Sequence, residues 1–476
     1  MSNSFLNFFK EPAPKPLLKD KHEIKKKYKH YQWQIFTSLY MGYVISYMGR
    51  KNVSVAMPEI MSFFKVTKVE VGIIISAFTA SYAIGKFVNG ILADKANVRT
   101  FFSSALVLAG FCLFSFAFLS SFSFLSIGLM MALLAFVWGS NAWFHSMTFP
   151  PIAKSLTFWF SKKTRGFKWS LVSTSHQVGV MCGSYIAALA VQYINWQSAF
   201  YIPGVVSILG GLWLYKTLRD KPVTEGLPTV EEYEAELEVS NGSVAAEQNS
   251  KAVEQTKEPE QKLSYLQMLT KYILCNPLVW ILSLVFLFVY VVRQASEDWL
   301  ITFFQEVRGN GKLVANNKFT IYTLVGVGGT IFAGFLSDKL FKGRRTPVNL
   351  LFLFGLIASL FAFSKTIAAG ANSNEILDFV YAGLVGFFVA GLQNLVGLQI
   401  VEFCAKDVAS AANGFAGTVS YVGSTLSGIC TGYMSHNFGW NGAFSLWIGA
   451  TAMAILLLCA VFPFEKRAKA NNAAKA

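Results

Sequence analysis

Charge is scarce in this chain. Asp, Glu, Lys and Arg make up 14% of its 476 residues, whereas 54% are hydrophobic. That balance excludes an ordinary soluble globular protein, in which about a quarter of residues are charged. Cysteine is scarce as well. Cys112, Cys182, Cys275, Cys404, Cys430 and Cys459 are scattered in apolar segments or at their ends, and none forms a CxxC. This excludes a disulfide framework and a cysteine metal cluster, and leaves small buried apolar residues as the reading. No nucleophile–base pair or metal-ligand spacing is found, which argues against an enzyme, and no cofactor or metal is expected. The N-terminus stays charged past the point where the apolar core of a signal peptide should begin, so no cleavable leader is expected.

Long apolar runs are abundant. Twelve reach the length of about 18 residues or more that a bilayer demands. They lie at 34–57, 71–93, 100–120, 123–150, 167–194, 197–216, 277–305, 318–340, 346–364, 376–402, 408–434 and 441–463. The expected fold is an all-α integral membrane protein of twelve transmembrane helices in two six-helix halves. Its parts are an N-terminal tail (1–33), a first half (34–216), a linker (217–276), a second half (277–463) and a C-terminal tail (464–476). The linker is rich in both acidic and basic residues and poor in aromatics.

The net charge of +15 could suggest a nucleic-acid partner. Its placement argues otherwise. With both termini in the cytoplasm, 31 of the 41 Lys and Arg fall on the inner side, six in outer loops and four within spans. That is the positive-inside pattern, so membrane topology accounts for the charge and nucleic acid is not needed.

The two halves echo one another. GILADK (90–95) and GFLSDK (334–339) are 244 residues apart, and each leaves the second span of its half. Arg50 and Arg293, both inside apolar spans, are 243 apart. A duplicated six-span unit yields such offsets, and parallel repeats of this kind place a substrate at their interface near the midplane. The repeated loop resembles that between spans 2 and 3 of the major facilitator superfamily.

Intramembrane charge is costly and marks function by default. A guanidinium stays protonated and offers a planar fork of donors matched to phosphate oxygens. Arg50 and Arg293 across a midplane cavity would clamp such an anion. The alternative for Arg293 is a local pair with Glu297 or Asp298. Lys86 and His176 also lie in spans, as do Gln177, Gln393 and Asn394, which offer neutral hydrogen bonds. Tyr43, Tyr47 and Arg50 are spaced to share a helix face, as are Tyr82 with Lys86 and Tyr290 with Arg293. Tyr421 lies within a span too. Each tyrosine could equally be a packing residue or interfacial anchor, and His176 a satisfied packing residue. Lys51, about 100° around a continuous helix from Arg50, is expected to miss the clamp, and its role stays open.

FFKEPAPKPL (8–17), GYVISYMGRKN (42–52), the Lys86 segment, SHQVG (175–179) and VYVVR with its following DW (289–299) resemble the organophosphate:phosphate antiporter family. TLRDKPVTEGLPTVEEY (217–233) and LTKYILCNPLVWIL (269–282) resemble its hexose-phosphate and receptor-like branch. The resemblance implies that Arg50 and Arg293 hold phosphate and that Lys86 and His176 lie near the same cavity. It implies a bacterial inner-membrane exchanger of a sugar phosphate, glucose 6-phosphate first among them, for inorganic phosphate, with Gln177, Gln393 and Asn394 as candidates for the sugar hydroxyls. A membrane sensor of external glucose 6-phosphate with a signalling partner, and a glycerol-3-phosphate:phosphate antiporter, are the alternatives. Two departures bear on substrate choice. Gln177 stands where the family has Asn, and Gly391-Leu392 replaces a Gly-Pro that would kink its helix.

Overall fold

A computed structural model describes residues 9–122, 124–240, 274–341, 343–403 and 409–473. Among them the chain is helical, with a lone β-bridge pairing Lys10 and Ala96. The first part holds α1 (Lys21–Met48), α2 (Asn52–Val55), α3 (Met57–Phe64), α4 (Lys68–Lys95), α5 (Val98–Leu119), α6 (Ile127–Ser146), α7 (Phe149–Trp159), α8 (Lys162–Tyr193), α9 (Ser198–Thr217) and α10 (Val230–Ser240). The second holds α11 (Pro277–Glu306), α12 (Lys312–Phe335), α13 (Arg345–Lys365), α14 (Glu375–Glu402), α15 (Ala409–Asn437) and α16 (Gly439–Ala473). Most of the expected linker, 241–273, lies outside the described residues, as do residues 1–8, residue 408 at the start of the eleventh expected span, and the end of the C-terminal tail at 474–476.

Polar side chains set the helix starts. Thr67 accepts from Val69 N–H, and the Glu70 carboxylate takes Thr67 N–H at 2.9 Å. The two form a capping box before α4. Asn97 caps α5 through Arg99 N–H at 2.9 Å, and Asn276 caps α11 through Leu278 N–H at 3.0 Å, with Pro277 at the first helical position.

Among the described residues, nine helices are long and apolar enough to cross a membrane. The other three long segments in the bundle, α1, α8 and α15, fall below that measure and carry candidate site residues: Tyr43 and Tyr47, His176 and Gln177, and Tyr421. The fourth expected span divides at Met147 and Thr148 into α6 and α7. Residues 21–33, expected in the N-terminal tail, are the opening turns of α1.

Helices pack within each half, α1 on α8, α4 on α6 and α5 on α9 in the first, α11 on α15 and α12 on α14 in the second. Among the described residues, the most extensive contacts between them are α4 with α15, α8 with α12, and α2 with α11. The α4–α15 approach is close. A methyl at Gly72 would stand 2.6 Å from the Gly428 carbonyl oxygen, so only glycine fits. Ser76 Oγ donates to Thr425 O at 2.6 Å and accepts from Ile429 N–H at 3.1 Å. Lys68–Glu306 at 2.6 Å and Lys312–Glu59 at 2.8 Å join the halves at this same end. At the opposite ends of these helices, methyl groups at Gly90, Gly334, Gly414 and Gly417 would meet nothing within 4 Å. The halves are thus joined at one end, and the glycine faces named at the other are open.

At the open end, Arg345 bridges Asp338 and Glu402, contacting Glu402 at 3.0 Å. This ties the GFLSDK turn to the end of α14. In the first-half copy, the Asp94 and Lys95 side chains lie outside those described. There the segment from Phe9 to Asp20 lies against the neighbouring turns. Asn97 N–H donates to Phe9 O at 2.8 Å, and Lys15 N–H to Val223 O at 3.0 Å. Glu11 sits between Lys154 and Lys221, 2.6 Å from each.

Candidate functional site

The site begins at a break in the backbone. α1 stops at Met48, residues 49–51 are non-helical, and α2 starts at Asn52. Gly49 suits the break because a methyl there would lie 3.0 Å from Leu113 and 3.4 Å from His145 Nε2. Backbone groups freed inside a membrane need protein partners. Asn141 supplies one, donating to Gly49 O at 3.3 Å, while the Asn52 amide donates to Ala199 O. The expectation that Tyr43, Tyr47 and Arg50 follow one continuous helix is therefore corrected. The tyrosines lie on α1, their hydroxyls 3.3 Å apart, and Arg50 leaves from the turn beyond it.

Arg50 enters a cavity of about 360 Å³ between the halves. Its guanidinium lies over the rings of Tyr47 at 4.1 Å and Tyr82 at 4.3 Å, in cation–π geometry. Among the described residues no carboxylate pairs with it, and its buried Nε has no hydrogen-bond partner. Arg293 differs. It projects from the middle of α11, 5.2 Å from the Tyr290 ring, and pairs with Glu297 at 2.8 Å. The local pair considered for Arg293 is thus formed. Tyr421 stands between the arginines, its ring 5.3 Å from Tyr82 and 5.9 Å from Tyr290.

Lys51 corrects a second expectation. The turn frees it from the helical geometry that would have pointed it away. It reaches across to α11, 2.7 Å from Asp298 and 3.0 Å from Glu297, and lines the same cavity. Asp298 is saturated. Its Oδ1 also accepts from Ser54 at 3.2 Å, and its Oδ2 from Gln294 at 2.6 Å.

Eleven of the twelve candidates line this cavity. His176 does so with its ring 5.5 Å from Tyr47 and Nδ1 against Ser173 O. Lys86 is exposed toward the open end, 5.6 Å from the Tyr421 ring. Gln177 and Gln393 are on the wall. Asn394 is not. It is exposed on α14 and outside the lining, because the turn per residue that brings Gln393 to the wall carries its neighbour off it. The sequence reading passed over Tyr322, Gln294 and Ser54, which also line the cavity. Tyr322 was findable as one more intramembrane tyrosine; Ser54 carried no such signal. Among the described residues, no group of His, Cys, Asp and Glu is placed to hold a metal ion.

The sequence matches the family model described as "Major Facilitator Superfamily" over residues 39–427 and 319–476. It is 34% identical over 455 residues to the "Probable hexose phosphate transport protein" of Chlamydia pneumoniae, covering 96% of each chain. It is also 34% identical over 454 residues to the "Membrane sensor protein UhpC" of Escherichia coli (strain K12), covering 95% of this chain and 97% of that one. The fold is similar to the crystal structure of a bacterial homologue of the human lysosomal transporter Spinster in an inward-facing, unoccupied conformation. The TM-score is 0.67 at 16% identity, covering 90% of this chain and 96% of that one.

Proposed function

The chain belongs to the Major Facilitator Superfamily, and from that premise we propose that it exchanges a sugar phosphate, glucose 6-phosphate first among them, for inorganic phosphate across a bacterial inner membrane. The observation that carries this is Arg50, a half-buried guanidinium in the cavity with ring faces on two sides and, among the described residues, no carboxylate on it. An anion with several oxygens satisfies its fork, and Lys86 and Arg293 lie on the walls of the same cavity. The relative named for hexose phosphate transport supports the choice of ligand.

Each half rocks against the other around the site. In this form the end carrying Lys68 and Lys312 is shut, and the other end, with both termini, faces the cytoplasm. Unpaired cations at a dry midplane are unfavourable, so the halves pass between states most easily with an anion bound. Exchange follows from that, and net uniport is slow. Gln177 and Gln393 serve the sugar hydroxyls.

A second reading has its own observation. The chain is as similar to a membrane sensor as to a transport protein. A sensor would bind the same ligand and pass the rearrangement to a signalling partner. The deciding experiment is counterflow of labelled phosphate in proteoliposomes, with glucose 6-phosphate and glycerol 3-phosphate as competitors. Saturable phosphate exchange inhibited by glucose 6-phosphate is expected. Tight ligand binding without counterflow would establish the sensor instead, and stronger inhibition by glycerol 3-phosphate would change the assigned substrate.

A further inference from the structure

The cavity is not a uniformly positive hole. Arg50, Lys51, Lys86 and Arg293 line it, and so do Glu297 and Asp298. With His176 counted as neutral, four cations against two carboxylates leave two uncompensated positive charges. Asp298 is used up locally by Lys51, Ser54 and Gln294, and its side chain is 5% exposed. Glu297 is placed differently. Its side chain is 18% exposed, and its ion-pair partners are Arg293 at 2.8 Å and Lys51 at 3.0 Å, one from each half. It occupies the fork of one phosphate-binding arginine and leaves the other free.

We propose that Glu297 sets the charge the cavity accepts, selecting dianionic phosphate esters and rejecting those that carry an additional carboxylate. This rests on the phosphate-exchange reading. A phosphate monoester is close to a dianion above its second pKa of about 6, and two negative charges balance the cavity. A third would stand beside Glu297 in a poorly screened interior, where like charges repel strongly. Removing the carboxylate's charge leaves an excess of three and opens Arg293 to a second anionic group. Glu297 is thus a specificity-determining residue.

The test uses full-length protein in proteoliposomes at about pH 7.5, well above that second pKa. Inhibition of phosphate self-exchange is measured with glucose 6-phosphate and with 3-phosphoglycerate, which adds a carboxylate. The readout is the ratio of their half-inhibitory concentrations. In Glu297→Gln the 3-phosphoglycerate: glucose 6-phosphate ratio should fall about tenfold or more, since a like-charge contact is removed for one ligand only. Glu297→Asp should keep the wild-type ratio, and Lys51→Gln/Glu297→Gln, which restores the charge count, should return toward it. An unchanged ratio in an exchanging Glu297→Gln protein overturns this proposal alone. A wild-type protein that exchanges no phosphate overturns the transport reading, and this one with it. If Glu297→Gln does not insert, Lys86→Gln decides the matter. It lowers the excess to one and should raise the ratio, and no rise would overturn the charge-selection account.

Discussion

Lysine and arginine carry the same charge, yet at position 50 they are not interchangeable. Lysine keeps the charge but loses the planar fork and the face that stacks on Tyr47 and Tyr82. Arg50→Lys should therefore abolish or severely reduce phosphate counterflow while membrane insertion, read as protein recovered in the membrane fraction, is retained. Neutral residues are separable from this. Gln393→Ala should cost glucose 6-phosphate about 0.5–1.5 kcal/mol, one hydrogen bond's worth. It should weaken competition severalfold with phosphate self-exchange nearly intact. Asn394→Ala, off the wall, should change neither. Outside the membrane, Glu11 carries a pH dependence. Burial works to raise its carboxyl pKa, but hydrogen bonds and charge from Lys154 and Lys221 outweigh that and hold it below the usual carboxylate range. A depressed carboxyl contributes stability above its unfolded value and loses it as pH falls through the folded one. Limited proteolysis of the 9–20 segment should therefore be slow at neutral pH and accelerate as the medium is acidified past the ordinary carboxylate range. Glu11→Gln should show the fast rate throughout. The arginines and most of the lining were legible in the sequence, because an ionisable or hydrogen-bonding side chain in a hydrophobic run is conspicuous. The roles of Lys51 and Asn394 were not. Lys51 follows from the turn at Gly49, which depends on Asn141 and His145 about a hundred positions away, and Asn394 from the rotational setting of α14 against its neighbours.

At the level of helices, the approach of α4 to α15 is the contact most sensitive to side-chain volume. Gly72→Val would add three carbons, the first of them already pressed on the Gly428 carbonyl, and overpacking of this kind costs about 1–3 kcal/mol. Because α4 and α15 belong to different halves, the penalty falls on the form described here and favours the one open at the other end. The check is a Thr79→Cys probe in a cysteine-free background, treated with an impermeant thiol reagent from outside. Labelling should rise in Gly72→Val, and unchanged labelling would mean that α4 and α15 do not form the closure. Helix existence was readable from apolar runs, and α4, α5, α9, α11, α13 and α14 overlap the expected segments closely. The interruption after Met48 and the division between α6 and α7 were not. At the first break the polar run Gly49-Arg50-Lys51-Asn52 reads as charge within a span, and at the second Pro150 and Pro151 follow the turn; hydropathy averaged over a long window registers neither as a turn whose backbone groups are satisfied by other helices. The repeat was also only partly informative. It matched Arg50 with Arg293 by offset, but one leaves from a turn and the other from mid-helix, so equal spacing did not mean equal surroundings.

For the whole molecule, the distribution of lysine and arginine makes a claim that fold similarity alone does not. Residues 240–258, largely outside those described, should be cut by protease in inverted vesicles and protected in right-side-out ones. Cleavage in the latter would reverse the assigned orientation. The 9–20 segment adds a second marker on that side, since it lies against the turns beside Ala96, Lys154 and Val223. Finally, the limited apolarity of α1, α8 and α15 has a consequence for how the protein is made. A segment that partitions weakly into lipid cannot be released from the insertion machinery alone and wait there. It must be held until a partner arrives. For α1 that partner is α8, whose Gly183 lies so close to Met48 that an added methyl would be 2.5 Å from its Cα. More than a hundred residues must be synthesised between the two. Biogenesis of the first half is therefore a delayed, collective event, in which the earliest helix to emerge is among the last to be secured.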